Sequence, residues 1–146
     1  MSHPLFDKHR ATLDGALNAI RTRGYWSAYN EMPSPKVYGE TAQADGKAAF
    51  DAYLGKEFAI DQPGRSGTVK TETSPYGIAL DVSYPKCDAQ ALINAGLKAM
   101  SGWQAIGAEG RAGVCLEILD RLNKRSFEIA TAVMMTTGQG WMMAFQ

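Results

Sequence analysis

The sequence predicts an α+β protein that is mostly helical and has one β-hairpin. Apolar residues recur at spacings of three and four along most of the 146 residues, as they do on one face of an amphipathic helix. The stretch from Ile78 to Tyr84 instead alternates apolar with polar residues, which is typical of a half-buried strand. Pro75 and Gly77 lie just before it and favour a chain reversal. These observations predict a short sheet within a helical protein.

Two helices are predicted ahead of the strands. The first runs from Leu5 to Arg23, since its apolar residues share one stripe and Gly24 can end it. That stripe consists of Phe6, Leu13, Leu17 and Ile20. The second helix runs from about Thr41 to Leu54 and ends at Gly55. Its candidate core residues are Ala48, Phe50 and Leu54.

The segment between these helices is rich in proline and aromatic residues. Pro33 and Pro35 exclude a regular helix here. Four large aromatic side chains accompany them, namely Tyr25, Trp26, Tyr29 and Tyr38. Because such side chains favour burial, this loop is expected to lie against the body of the protein.

The hairpin is predicted from two extended segments. The first is TVKTET, from Thr68 to Thr73, which is rich in β-branched residues. The second runs from Ile78 to Tyr84, with an apolar face made of Ile78, Leu80, Val82 and Tyr84. The residues SPYG between the two segments supply the turn.

Three further helices are predicted after the strands. Asp88 can cap the first, which continues to Trp103 before IGAEG interrupts it. Its apolar face holds Leu92, Ala95, Ala99, Met100 and Trp103. The second carries an apolar stripe formed by Ala112, Cys115, Leu116, Leu119 and Leu122. Its end is basic, which suits the helix dipole, and consists of Arg121, Lys124 and Arg125. The third begins at the cap candidate Ser126 and closes near Gly138.

Composition and charge exclude several classes of protein. Hydrophobic residues make up 45% of the chain and charged residues 21%, so an ordinary folded domain is expected. With 15 basic and 15 acidic residues the formal net charge is zero, so no whole-chain field attracts nucleic acid or anionic lipid. The amino terminus mixes charged with apolar side chains, unlike a signal peptide or a membrane span. We therefore expect a cytoplasmic protein with no nucleic-acid or membrane partner.

The two cysteines form no recognisable site. Cys87 and Cys115 are far apart and belong to no C-x-x-C pair, so the spacing of a zinc or redox site is absent. Cys115 falls within the apolar stripe of its helix, so a buried and unreactive thiol is expected. Cys87 precedes a helix start, where backbone amides favour a thiolate, but no histidine lies near it in sequence to act as a base.

Neither glycine-rich segment has the spacing of a dinucleotide-binding turn. GAEGRAG places Gly107, Gly110 and Gly113 three residues apart and follows a helix, so an ordinary turn is the expected use. GQGWMM contains Gly138 and Gly140 but has Met143 where a third glycine is required.

The histidines and acidic residues also yield no predicted site. His3 and His9 are six residues apart and lack a completing set of ligands, so surface histidines are expected. Three acidic residues share a helical region with Lys47 and predict only a solvated face, namely Glu40, Asp45 and Asp51. No catalytic, cofactor-binding or metal-binding residue is therefore assigned.

A long stretch of the chain resembles a known family. From about Gly67 to Gly140, a hairpin and a capped helix ending at a tryptophan precede GRAGVCLEILDRLNKRSFEIATAVMMTTGQ. This order resembles the amino-terminal portion of the NAD(P)-dependent aldehyde dehydrogenase superfamily. The matching positions are Trp103, Arg111, Leu119, Leu122 and Thr137-Gly138-Gln139, while Thr136 and Gln139 replace the glutamate and lysine usual in the last turn. The earlier HPLFDKHRATLDGALNAIRTRGYWSAYNEMPSPKVYGE is similar to the phenylacetic acid degradation branch.

The resemblance implies an amino-terminal fragment of an α/β aldehyde dehydrogenase fold. Residues 1–66 would form a helical extension with an aromatic and proline-rich loop, and residues 67–146 the start of the dehydrogenase domain. In the family, a cysteine thiolate attacks an aldehyde and hydride passes to NAD or NADP, which yields an acid or a thioester. The catalytic cysteine, general-base glutamate, oxyanion-binding asparagine and cofactor fold lie beyond the matched portion, so none maps onto this chain.

The implied partners are the remainder of an aldehyde dehydrogenase chain and further copies of the same protein, since family members are commonly dimers or tetramers. The chain alone is expected to be inactive and to bind no cofactor.

The carboxyl end of the chain also bears on whether the chain is a fragment of a larger enzyme. The apolar run Trp141–Phe145 is followed only by Gln146, with no basic last turn. Full burial of Trp141, Met142, Met143 and Phe145 would contribute roughly 1.5–3 kcal/mol each, about 6–12 kcal/mol together. We therefore expect an unfinished contact surface of a larger enzyme. The alternative is a stand-alone helical interaction module that grips a partner with Trp141–Phe145.

Overall fold

The computed structural model describes residues 3–145, so Gln146 at the predicted contact surface lies outside the described residues. A mostly helical chain with one two-stranded antiparallel sheet is observed, which confirms the predicted fold class. The elements in chain order are α1 (Pro4–Lys8), α2 (Arg10–Thr22), α3 (Pro35–Tyr38), α4 (Ala42–Asp51), β1 (Arg65–Val69), β2 (Tyr84–Cys87), α5 (Ala89–Ala105), α6 (Gly107–Lys124), α7 (Ser126–Thr137) and α8 (Trp141–Phe145). Within residues 3–145, no helix combines the length and apolar character needed to cross a bilayer.

The chain divides into two compact units, and each unit is built from two separate segments of the chain. Unit 1 consists of the chain up to Glu31 together with Met100–Lys124. Unit 2 consists of Met32–Ala99 and of the chain from Arg125 onward. The division between residues 1–66 and 67–146 that the family resemblance implies stays a prediction.

In unit 1, helix α1 packs closely on α6. Phe6 is buried here, and its backbone lies so near Gly113 that a Cβ built on the glycine would be 2.4 Å from the Phe6 nitrogen. The predicted single helix from Leu5 to Arg23 is wrong in one respect, because it breaks at His9 into α1 and α2. His9 has φ −103° and ψ 12°, and its buried ring contacts α6 instead of continuing a regular helix.

Unit 2 contains a small core formed by Phe50, Leu80 and Val82, which are 3–7% exposed. Helix α4 packs on α7 through Gly46, where an added Cβ would lie 2.5 Å from the Phe127 Cβ. Phe50, Leu80 and Val82 are thus correctly predicted as core residues. The predicted core residues Ala48 and Ile78 are exposed instead.

The hairpin forms with a different register from the predicted one. Strand β1 pairs antiparallel with β2, Val69 opposite Tyr84 and Thr68 opposite Pro85, with an irregularity between Arg65 and Gly67. The segment 78–83 is not a strand of this sheet, because its backbone bonds to the chain after α4. Ser83 accepts a hydrogen bond from the Phe58 amide at 2.8 Å, and the Gly55 amide donates to Leu80 at 3.0 Å. Leu80 and Val82 are both buried, as their alternation predicts, but the segment that bonds to theirs is not TVKTET.

The helix boundaries follow some of the predicted signals and not others. Asp88 caps α5 as predicted, since its Oδ1 accepts a hydrogen bond from the Ala91 amide at 2.8 Å. Gly138 ends α7 as predicted, in the left-handed region at φ 79°. The cap candidate Ser126 is wrong, because Arg125 occupies the N-cap position and the Ser126 hydroxyl is buried without a hydrogen-bond partner.

Candidate functional site

A concave site with a volume of about 290 Å³ lies within unit 2. Its apolar floor is the core of this unit, Phe50, Leu80 and Val82, and the exposed end of the cavity carries polar groups. The wall comes from α7 and from the segments that follow α4 and β1, and includes Tyr53, Phe58, Glu72, Tyr84, Arg125, Glu128, Ile129, Ala132, Val133 and Thr136. Pockets of this kind, apolar with a few polar groups, are typical of small-molecule sites.

One side of the cavity carries a closed polar network. Arg125 donates to both carboxylate oxygens of Glu128, at 3.0 Å through Nε and at 2.5 Å through Nη2. Arg125 Nη2 also donates to the Tyr53 hydroxyl at 2.9 Å, and that hydroxyl donates to Glu128 Oε1 at 2.8 Å. Hydrogen bonding from Arg125 lowers the pKa of Glu128, and the same bond raises the pKa of Arg125. The guanidinium charge is therefore neutralised within the network.

A second carboxylate, that of Glu72, also lines the cavity. The Tyr84 hydroxyl donates to Glu72 Oε2 at 2.5 Å. Burial, with help from this hydrogen bond and from the Glu72 charge, raises the pKa of Tyr84 to about 12. The phenol therefore remains a neutral donor at physiological pH.

Three aromatic rings in the lining, those of Tyr53, Phe58 and Tyr84, are neighbours of one another. Tyr53 lies 5.5 Å from Phe58, and Phe58 lies 5.9 Å from Tyr84, between ring centroids. Both pairs are tilted at about 40°. The described lining holds no cysteine, histidine or lysine. The arrangement is therefore suited to binding and provides no nucleophile with an adjacent base.

Sequence reasoning missed most of this cavity. Its members come from four separate segments, and only Arg125 and Glu128 carry a visible signal, an ion pair at i and i+3 on one helix. Glu72 and Tyr53 carry no sequence pattern, because only the tertiary fold brings them to the same cavity.

The cysteines have environments other than the predicted ones. Cys115 is exposed, so the expectation of a buried thiol is wrong. The α6 residues that pack inward are Gly110 and Gly113, and this shifts the inward face of the helix away from Cys115. Cys87 ends β2 and is half-buried, with its sulfur 4.0 Å from the Pro85 carbonyl.

The glycine segments form no cradle for a pyrophosphate. The expectation of a turn at GAEGRAG is wrong beyond its first residue, because Gly107 at φ 70° starts α6 and the other glycines lie inside that helix. Gly110 and Gly113 serve close packing against Ile106 and Phe6. Gly138 caps α7, and Gly140 precedes the five-residue helix α8. The two described glycine segments therefore lack the backbone arrangement that a dinucleotide phosphate requires.

His9 is a correction to the prediction of surface histidines. It is 7% exposed, and its Nε2 lies 2.7 Å from Glu117 Oε2. Together with Asp120, these side chains come within 4.8 Å of one another, a spacing that suits a metal ion. The Lys8 ammonium already lies there, 2.6 Å from Glu117 and 3.9 Å from Asp120. The cluster is therefore an ion-pair network between α1 and α6.

His3 is half-buried, whereas the acidic residues of the predicted solvated face are exposed. His3 accepts a hydrogen bond from the Leu5 amide at 3.3 Å and thereby caps α1. The solvated face on α4 is confirmed, because Lys47 pairs with Asp51 at 2.5 Å with both side chains exposed.

Helix α5 exposes a continuous apolar surface, which we call the α5 face. None of the residues of this helix is buried, although it is among the most apolar segments of the chain. The α5 face consists of Leu92, Ile93 and Leu97, which lie in unit 2 and are 39–61% exposed. A cluster of this kind is unusual on a monomeric protein and marks an interaction surface.

The run Trp141–Phe145 is only partly exposed. The Phe127 ring lies 5.0 Å from Phe145 and 6.0 Å from Trp141, between centroids. Met142 and Met143 point away and are 41% and 69% exposed. The expectation of four unburied side chains is therefore wrong for the two aromatic residues, which pack within unit 2.

A comparison with solved structures identifies this arrangement. The chain is similar to the crystal structure of an NAD-dependent aldehyde dehydrogenase from Burkholderia multivorans, with 58% sequence identity and a TM-score of 0.93. The fold is that of a fragment of an aldehyde dehydrogenase. The match covers 100% of this chain and 26% of that chain, so the chain spans about a quarter of the length of that relative. No protein-family profile matches the chain, and no curated protein matches it either.

The positions that carried the aldehyde dehydrogenase resemblance lie at exposed points of the fragment. Trp103 is 44% exposed, and its carbonyl accepts a hydrogen bond from Arg111 at 3.5 Å. Gly138 provides the left-handed turn after α7, and the Gln139 amide donates to the Thr137 hydroxyl at 3.3 Å. In this chain these residues organise helix ends, and they bring no reactive group together.

Proposed function

We propose that this chain is the amino-terminal part of an NAD-dependent aldehyde dehydrogenase that acts in phenylacetic acid degradation. The observation that carries the proposal is the 58% identity, over the whole chain, to an NAD-dependent aldehyde dehydrogenase. Similarity at that level, together with a TM-score of 0.93, supports a shared role for the matched portion within a longer protein. The branch rests on the resemblance of the region before the hairpin.

The α5 face supports the same proposal. Three apolar side chains along one helix, Leu92, Ile93 and Leu97, have no partner among the described residues sufficient to bury them. Further dehydrogenase polypeptide is the occupant that fits, since the similar chain is about four times as long. Burial of such side chains would contribute roughly 1.5–3 kcal/mol each, and this would make the fragment dependent on the rest of the enzyme.

The reaction of the longer protein is the NAD-dependent oxidation of an aldehyde. NAD is proposed because the similar enzyme is NAD-dependent. The residues of this chain supply packing and contact surface for that enzyme, and its reacting groups belong to polypeptide outside the matched quarter. A cytoplasmic location and assembly into homo-oligomers are proposed with it.

The alternative is a stand-alone helical module that grips a partner with α8. The packing of Trp141 and Phe145 on Phe127 weakens this alternative, because it leaves only Met142 and Met143 free for a partner. A compact, dye-silent oligomer of the 146-residue chain would favour the module.

The proposal is tested by comparing two proteins in an assay of NAD reduction with phenylacetaldehyde and other simple aldehydes. The gene product at its natural length is expected to reduce NAD, whereas the 146-residue chain is expected to give no turnover. Turnover by the 146-residue chain alone, or its absence in the natural-length protein with every aldehyde, would contradict the proposal.

A further inference from the structure

We propose that the cavity in unit 2 binds a small organic ammonium ion with an apolar body, such as an arylalkyl amine. The juxtaposition of Glu72, the ring of Tyr84 and the apolar floor of the cavity carries this inference. It needs neither NAD nor an aldehyde, so it is independent of the proposed dehydrogenase.

The charge of the cavity selects a cation. Arg125 and Glu128 neutralise each other through two hydrogen bonds, so this pair contributes no net charge. Glu72 accepts only from the Tyr84 phenol, and no basic side chain among residues 3–145 forms an ion pair with it. Lys70, the nearest lysine in sequence, is paired with Asp81 at 2.8 Å. One uncompensated carboxylate therefore remains at the rim.

The aromatic rings reinforce this selection. The faces of tyrosine and phenylalanine attract ammonium groups, and aromatic clusters beside a carboxylate are a common way to bind them. Tyr84 lines the cavity and bonds to Glu72 through its hydroxyl, so ring and carboxylate adjoin the same space. Phe58 extends the aromatic surface at 5.9 Å, between ring centroids.

An anion is disfavoured by the same contacts. The Arg125 guanidinium is the only described cation in the lining, and Glu128 and the Tyr53 hydroxyl already accept its hydrogen bonds. A bound carboxylate would have to displace Glu128 from a bidentate pair. It would also be repelled by Glu72.

The body of the ligand is set by the floor of the cavity. Phe50, Leu80 and Val82 present apolar surface, and the volume of about 290 Å³ is at the lower end for a small-molecule pocket. A single ring or a short alkyl chain attached to the ammonium group matches these dimensions.

The test uses benzyltrimethylammonium as the probe and benzoate as a control of opposite charge, with binding measured by calorimetry. The gene product at its natural length is titrated as wild type, as Glu72→Gln and as the matched control Asp61→Asn. Asp61→Asn removes an exposed carboxylate from the same unit outside the cavity. Benzyltrimethylammonium is expected to bind wild type and Asp61→Asn equally, and Glu72→Gln about fivefold more weakly or worse. Benzoate is expected not to bind.

A second variant separates the loss of a contact from a loss of folding. Tyr84→Phe keeps the ring and removes the hydroxyl, so it is expected to retain binding within about twofold. Circular dichroism verifies the fold of each variant. Equal binding by Glu72→Gln and wild type, tighter binding of benzoate, or the absence of benzyltrimethylammonium binding to the folded wild type would overturn the proposal.

Discussion

The backbone of Phe6 lies against Gly113 so closely that a Cβ on the glycine would be 2.4 Å from the Phe6 nitrogen. This contact fixes α1 on α6, and it requires a residue without a side chain on α6. The glycine therefore acts as a packing surface within a helix, where glycine would otherwise lower stability.

Gly113→Ala is expected to destabilise the protein. The added methyl group meets backbone atoms that cannot move aside independently, and overpacking of this kind costs about 1–3 kcal/mol. The free energy of unfolding from a denaturant titration provides the measurement. Gly102→Ala is the control, because Gly102 lies in α5 with no neighbour within 4 Å of an added Cβ and should gain up to about 1 kcal/mol. Equal effects of the two substitutions would contradict this account.

The ion-pair network of α1 and α6 predicts a dependence of stability on pH. Hydrogen bonds from Lys8, His9 and Arg121 lower the pKa of Glu117 from 4.5 to about 2. Since the folded pKa lies below the unfolded one, this contribution is complete above about pH 4.5 and is lost as the pH falls towards 2.

The melting temperature of wild type is therefore expected to fall more steeply than that of Glu117→Gln between pH 4.5 and pH 2. Glu109→Gln removes an exposed carboxylate from the same helix and should follow wild type. Parallel curves for Glu117→Gln and wild type would show that the network does not stabilise the fold.

The aromatic cluster around Phe127 predicts unequal roles for neighbouring residues of α8. Phe145 lies 5.0 Å from Phe127 and 5.7 Å from Tyr38, between ring centroids. Phe145→Ala is expected to lower the free energy of unfolding by about 2 kcal/mol, because these contacts are lost. Met143→Ala is the control, since Met143 is 69% exposed, and should change it by less than about 0.5 kcal/mol. A larger loss of unfolding free energy in Met143→Ala than in Phe145→Ala would contradict this assignment of the packed side of α8.

The α5 face predicts that the 146-residue chain binds hydrophobic dyes. Leu97 is 61% exposed within this face, so Leu97→Lys should reduce the fluorescence of bound anilinonaphthalene sulfonate and reduce aggregation. Gln104→Lys introduces the same charge at an exposed polar position of the same helix and should have little effect. Dye binding that is equal in both variants would show that the dye binds to another part of the chain.

The sequence predicted helices more reliably than it predicted what they pack against. Periodicity found α5, α6 and α7, and local chemistry found the cap at Asp88 and the stop at Gly138, because these signals act within a few residues. The strand partner of segment 78–83 was missed, since it lies at Gly55–Phe58 and no short-range pattern specifies it.

Long-range contacts account for the other differences. His9 was expected at the surface, but its burial depends on Glu117, which is 108 residues away in sequence. The cavity escaped prediction for the same reason, because Tyr53 and Arg125 meet across 72 residues. Cys115 was placed in the core by its apolar neighbours, whereas the inward face of α6 is defined by glycines, which a hydrophobic pattern does not register.

The central claim is that this chain is the first part of a longer dehydrogenase that covers the α5 face. The intact mass of the native protein, isolated from cells that carry the gene, tests it most directly. A mass roughly fourfold greater than 15.8 kDa is expected, in keeping with the 26% coverage of the similar enzyme. A native mass of 15.8 kDa in a monodisperse protein that binds no hydrophobic dye would contradict it.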